Sequence, residues 1–272
     1  MDLKALLAEI DQNRNLLCEK FQLTPELSKS FDNHFRITNT FTSNSIEGNS
    51  LTKMQTKIML EDGITIGGKS MTELLETVSH GEAFDLMLEI ARENSLDSIS
   101  ENLLPFISDL HRTFYEKIDK INAGSYRKEQ VIIGGSSLLP PLPEELDKYM
   151  KNFNAMFVRF KDTFHPVILA AYAHLRFVQI HPFIDGNGRT SRLLMNLVLV
   201  NQGYQIIDIS KDDRDRYINT LEIANSQGYR DTAFYDFIAE QELNAQREYM
   251  RMRHIEYPGP VSPAPSSSPS GW

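Results

Sequence analysis

The sequence predicts a mostly α-helical fold carrying one short β-hairpin, and two observations lead there. Over most of the 272 residues, apolar side chains recur at i, i+3, i+4 and i+7, the spacing of a helix face. One stretch departs from it. Gly124-Ser125-Tyr126-Arg127 is followed by Val131-Ile132-Ile133-Gly134-Gly135, a Ser-Ser pair, and the apolar run Leu138 to Pro143. β-branched residues ahead of a glycine turn, then a second apolar run closed by prolines, fit a hairpin with an exposed edge.

Taken in order, helices are expected over 3–17, 25–46, 52–60, 69–95, 98–119, 143–160, 165–180, 187–202, 211–226 and 231–252. The first is amphipathic, with acidic residues among its leucines. Val167 to Ile180 reads as a buried helix, because His174, Arg176 and Gln179 interrupt its apolar run. Pro182 disfavours α conformation at His181, so that helix should stop there. Lys211-Asp212-Asp213-Arg214-Asp215 reads as a helix start with charges that suit the dipole. No fixed-period repeat is present. The organisation expected is an N-terminal helical region over 1–95, a core over 96–255 with a flap over 125–143, and a Pro/Ser-rich tail over 256–272 too poor in apolar residues to order itself.

Composition excludes several classes. Apolar residues at 41% can fill a core, and 28 Lys+Arg against 37 Asp+Glu give a net charge of -9, the reverse of a nucleic-acid binder. The single cysteine, Cys18, excludes an internal disulfide framework and a Cys-rich zinc site. His80, His111, His165 and His174 lack zinc-ligand spacing and read as core or surface residues. No run is long and apolar enough to span a membrane, and the N-terminus lacks a basic region and a cleavage site, so a cytoplasmic location is expected.

Chemistry concentrates in His181-Pro182-Phe183-Ile184-Asp185-Gly186-Asn187-Gly188-Arg189-Thr190-Ser191-Arg192. The helix-to-loop corner at His181 exposes an imidazole that can take a proton from a hydroxyl. A glycine turn feeding a helix N-terminus presents unpaired N–H groups and partial positive charge, which is an anion site. Arg189 and Arg192, at i and i+3, add two guanidinium forks suited to a polyphosphate. Asp185 supplies an oxygen ligand of the kind Mg²⁺ uses beside phosphates. Phe183 reads as a core anchor.

His-Pro-Phe-x-Asp-Gly-Asn-Gly-Arg-x-x-Arg resembles, at every specified position, the signature of the Fic family of AMP-transferring enzymes. The resemblance implies a helical Fic core with a β-hairpin flap over the active site, acting on ATP with Mg²⁺, or Mn²⁺ in its place. His181 would be the catalytic base and Asp185 the metal ligand. Gly186, Asn187, Gly188, Arg189, Thr190, Ser191 and Arg192 would hold the phosphates, with Arg189 on the β and Arg192 on the γ. The flap residues Val131, Ile132, Ile133 and Gly134 would cover the adenosine and pair, by their edge, with an extended target peptide. Tyr217 and Asn225, two helical turns apart, would contact the nucleoside. The product would be AMP on a Ser, Thr or Tyr of a target protein or of the chain itself, and dimerisation is expected from the family alone.

Upstream, Ser43-Asn44-Ser45-Ile46-Glu47-Gly48 matches the family's inhibitory pattern. The resemblance implies that Glu47 pairs with Arg192 and withholds it from the γ phosphate. Removal of AMP, transfer of another phosphate-containing group, and a noncatalytic module that binds partners at the flap stay open as alternatives.

Overall fold

In the computed structural model of the chain, residues 2–20, 22–227 and 232–260 are described. The expected helix start at 231 and tail residues 261–272 lie outside the described residues. The helices among the described residues are α1 (Leu3–Lys20), α2 (Pro25–Ile46), α3 (Lys53–Asp62), α4 (Met71–Glu93), α5 (Leu96–Glu101), α6 (Leu103–Tyr115), α7 (Leu146–Phe160), α8 (Pro166–Ile180), α9 (Asn187–Asn201), α10 (Arg214–Gln227) and α11 (Ala233–Met252). Their starts follow local chemistry. Thr24 caps α2 with Pro25 in its first turn, and reciprocal boxes, Thr52 with Gln55 and Ser70 with Glu73, open α3 and α4.

Two expectations need correction. The single helix over 98–119 is broken into α5 and α6 at Asn102, whose φ of -111° and ψ of 18° are not helical. Pro105 has no N–H for the Glu101 carbonyl, and its ring would collide with that turn. It is accommodated only in the first turn of a new helix.

The β-hairpin over 125–143 is absent, since no strand forms among the described residues. A turn does reverse the chain, with Ser136 N–H donating to the Ile133 carbonyl (3.1 Å) and Gly135 at φ +78°. The returning arm, however, contains Pro140, Pro141 and Pro143, which have no N–H to give a ladder. Side chains do the joining instead. Gln130 Nε2 donates to the Pro140 carbonyl (3.0 Å), and the buried Arg127 donates to the carbonyls of Glu129 (2.9 Å), Pro141 (2.5 Å) and His181 (3.0 Å). Glu222 on α10 holds the turn by accepting from Ser137 N–H (3.0 Å) and both serine hydroxyls.

α8 and α9 pack together at the centre, with α4 and α6 against α9, and α7 and α11 against α8. Nearly all of α9 is buried, including Asn187, Arg189, Ser191 and Arg192. One apolar cluster runs from Leu6 on α1 to Leu243 on α11. The central pair therefore forms a rigid base for the loop between its two helices.

Candidate active site

The loop joining α8 to α9 carries the motif, and its shape is fixed residue by residue. Barred from right-handed helix by Pro182, His181 takes a left-handed conformation (φ 52°, ψ 58°) while its N–H still donates to the Phe177 carbonyl (3.0 Å). Asn187 then closes the loop: its Oδ1 accepts from Phe183 N–H (2.9 Å) and its Nδ2 donates to the Phe183 carbonyl (2.8 Å). Phe183 is fully buried and stacks on His111 at 3.6 Å between ring centres, nearly parallel. Gly186 sits at φ +77°, where a Cβ would meet Phe114 at 3.0 Å and His111 at 3.2 Å.

His111 is a fixture the sequence did not single out as functional. Its Nδ1 accepts from Gly124 N–H (2.9 Å), so Nε2 carries the hydrogen and donates to the Asp185 carbonyl (3.0 Å). Burial pushes its pKa down to about 4, which keeps that tautomer neutral.

The cleft beside this loop is lined by His181, Gly188 and Arg192 from the motif, Ile46 and Glu47 from the end of α2, Ile133 to Ser136 from the flap turn, and Arg214, Tyr217, Glu222 and Asn225 around α10. Nδ1 of His181 faces the Val178 carbonyl at 3.3 Å, so it carries the hydrogen and Nε2 keeps its lone pair. Burial, with Arg127 nearby, lowers the His181 pKa from 6.5, and the imidazole is neutral at neutral pH. α9 begins at the same wall without a side-chain cap, which leaves its first N–H groups for an anion.

Arg192 is 4% exposed and carries three bonds from α2: Nε to Ser43 Oγ (2.9 Å), and Nη2 to the Ser43 carbonyl (3.0 Å) and to Glu47 Oε1 (2.7 Å). Glu47 follows the last residue of α2, and Gly48 turns the chain away at φ +97°. Although enclosure in the cleft opposes ionisation of Glu47, Arg192 and Arg189 outweigh it and hold the carboxyl below 4.5. A Cβ on Gly188 would overlap Glu47 Oε1. The glycine read from sequence as backbone freedom is thus also the space into which the carboxylate fits.

Other expected residues fall elsewhere. Asp185 is largely exposed; its Oδ1 accepts from Gly186 N–H (2.6 Å) and its Oδ2 lies 3.6 Å from Arg189. Arg189 is outside the cleft lining, 3% exposed, bonded to Glu76 at 2.7 Å and stacked over Phe114 at 4.5 Å. Thr190 and Ser191 are buried and off the cleft lining, and Ser191 Oγ donates to the Gly188 carbonyl (2.7 Å), which supports the loop. Both polar atoms of Asn187 are likewise taken. Val131 and Ile132 lie off the lining, and Ile132 is exposed.

Tyr217 and Asn225 both line the cleft. The Tyr217 hydroxyl points inward to His174 Nε2 (2.9 Å), while the Asn225 amide spans Gln179 (3.0 Å) and Glu222 (3.1 Å). Sequence reasoning missed Arg214, whose Nε donates to the Ile46 carbonyl (2.9 Å). Its place three residues before Tyr217, on the same helix face, is the signal that could have found it.

Residues 103–199 match the Fic/DOC family. The chain is 40% identical over 197 residues to the protein adenylyltransferase Fic of Drosophila persimilis, which covers 72% of this chain and 37% of that protein. It therefore spans little more than a third of the length of the curated relatives it matches. Among solved structures, a Fic domain containing signaling protein from Bacteroides thetaiotaomicron superposes with a TM-score of 0.77 at 27% identity, covering 94% of this chain and 99% of that one. Fic-1 from C. elegans gives 0.75 at 27% identity, covering 93% and 73%. With its motif loop seated between α8 and α9 inside the matched region, the chain belongs to the Fic/DOC family.

Proposed function

We propose that the chain transfers AMP from ATP to a hydroxyl of a protein target, and that Glu47 restrains the reaction. The observation that carries this is one cleft wall where a neutral imidazole, an uncapped helix N-terminus and a buried arginine converge, with the arginine occupied by a carboxylate from α2. The naming of the relatives as protein adenylyltransferases supports the reaction class.

His181 Nε2 takes the proton as the target oxygen attacks the α phosphorus; the bond from that phosphorus to the bridging oxygen breaks, and pyrophosphate leaves. The first N–H groups of α9 face the phosphates, and Arg192, once released from Glu47, pairs with the γ phosphate. Ile133 and Gly134 cover the nucleoside against Tyr217, with Asn225 at its far end. The exposed flap, with Ile132 outward, receives the target.

Asp185 fits a cation that arrives with the nucleotide. Its carboxylate is exposed and beyond hydrogen-bond reach of Arg189, and among the described residues no cluster of three or more ligand side chains forms a resident site. Mg²⁺ commonly binds through one carboxylate plus substrate phosphates, and it would neutralise phosphate charge there.

The test compares labelled-AMP incorporation by wild type, Glu47→Gly, and Glu47→Gly with His181→Ala. Glu47→Gly is expected to exceed wild type by about tenfold or more, since alignment of the α phosphate controls the rate, and His181→Ala to abolish the gain. Equal, negligible incorporation by all three overturns the reading, and mass spectrometry of the product distinguishes AMP from any other group.

A further inference from the structure

The second arginine of the motif is governed by a residue outside it. Arg189 Nη1 donates to Glu76 Oε1 at 2.7 Å, across 113 residues of sequence. The pair is among the least exposed ion pairs in the molecule, with side-chain exposures of 3% and 16%. Its other guanidinium nitrogen, Nη2, is 3.6 Å from Asp185 Oδ2, and Phe114 closes one face of the plane at 4.5 Å. Glu76 is itself tied to residues on both sides of Glu47. Its Oε2 accepts from Asn49 Nδ2 (3.1 Å), and its backbone carbonyl from Asn44 Nδ2 (3.5 Å).

We infer that Glu76 is a positioning residue that aims Arg189 at the β phosphate, and that Asn49 makes its hold sensitive to the position of the α2 terminus. The inference rests on the nucleotide reading of the cleft. Two anions compete for Arg189. Held by Glu76 on Nη1, the guanidinium stops short of Asp185, with Nη2 3.6 Å from its Oδ2. Without the Glu76 charge, a buried cation must find another partner, and the carboxylate 3.6 Å away is Asp185. Collapse onto Asp185 would remove both the β-phosphate donor and the oxygen available to a cation. Glutamine at 76 keeps the shape and one acceptor but loses the charge, and its amide N–H groups face the donor of Asn49.

The signature of positioning is selectivity for the β phosphate. In the Glu47→Gly background, calorimetric affinities for ADP, AMP and adenosine are compared with and without Glu76→Gln. ADP binding is expected to weaken about tenfold, the value of a misdirected charge-assisted bond, while AMP and adenosine are unchanged. Asn49→Ala, which spares the ion pair, is expected to weaken ADP binding a few-fold and serves if Glu76→Gln does not fold. Unchanged ADP affinity overturns the inference, and so does an equal loss for all three ligands, which marks a structural role. A parent that binds ADP but transfers no AMP overturns the proposed activity and leaves this inference standing, whereas a parent that binds no ADP overturns both.

Discussion

Glu47 Oε1 and Arg192 Nη2 meet at 2.7 Å although 145 residues separate them in sequence. The carboxyl is held below 4.5, so its share of the pairing is present above that value and is lost only as pH falls through the lower, folded one. Mild acid should therefore leave the proposed restraint in place. The ratio of AMP transfer by Glu47→Gly to that by wild type should stay constant between about pH 6 and about pH 8, a range far from that titration. A ratio that rises steadily with pH across this range would place the titration of Glu47 within it.

Ser43 holds the same guanidinium from one turn earlier, accepting from Arg192 Nε with its hydroxyl and from Nη2 with its carbonyl. Ser43→Ala removes only the hydroxyl and leaves one buried N–H of the guanidinium unpaired. Transfer should rise to a level between wild type and Glu47→Gly, by about threefold to tenfold, as expected for about 1 kcal/mol of lost hydrogen bonding. Initial rates at fixed ATP check it.

As the proposed base, His181 should give the reaction its acid limb. Burial and the Arg127 charge lower its pKa from 6.5, and the proposed base is the neutral imidazole, so activity should be lost as pH falls through the folded value. In Glu47→Gly, kcat/KM should have an acid midpoint below 6.5 and stay level above it. A midpoint above 6.5 would contradict the buried setting.

Asn187 is a matter of stability more than of phosphate contact. Asn187→Ala leaves the buried N–H and carbonyl of Phe183 without partners. The cost is expected to be about 2 to 4 kcal/mol, two buried bonds' worth, read as a lowered midpoint in denaturant unfolding. Activity should fall with it, because the loop that carries His181 and Asp185 loses its closure.

The helices were largely legible because their signals are local: Ser70 with Glu73, Thr52 with Gln55 and Pro25 each satisfy backbone groups within a turn. Where the sequence misled about secondary structure, a proline was decisive in each case. Pro105 divided one helix, and Pro140, Pro141 and Pro143 emptied the flap of strand pairing while leaving its turn intact. Both signals were present in the sequence, but a continuous apolar pattern outweighed them.

What the sequence determined by itself was the motif loop, since a proline after His181, a glycine at 186 and an asparagine at 187 dictate backbone shape within seven residues. What only tertiary structure decided was which partner each cation and hydroxyl meets. Arg189 with Glu76, Tyr217 with His174 and Arg127 with the His181 carbonyl join segments far apart in the chain. Dihedral preferences act between neighbours and can be read residue by residue, whereas a buried charge takes whichever counterpart the packed helices carry to it.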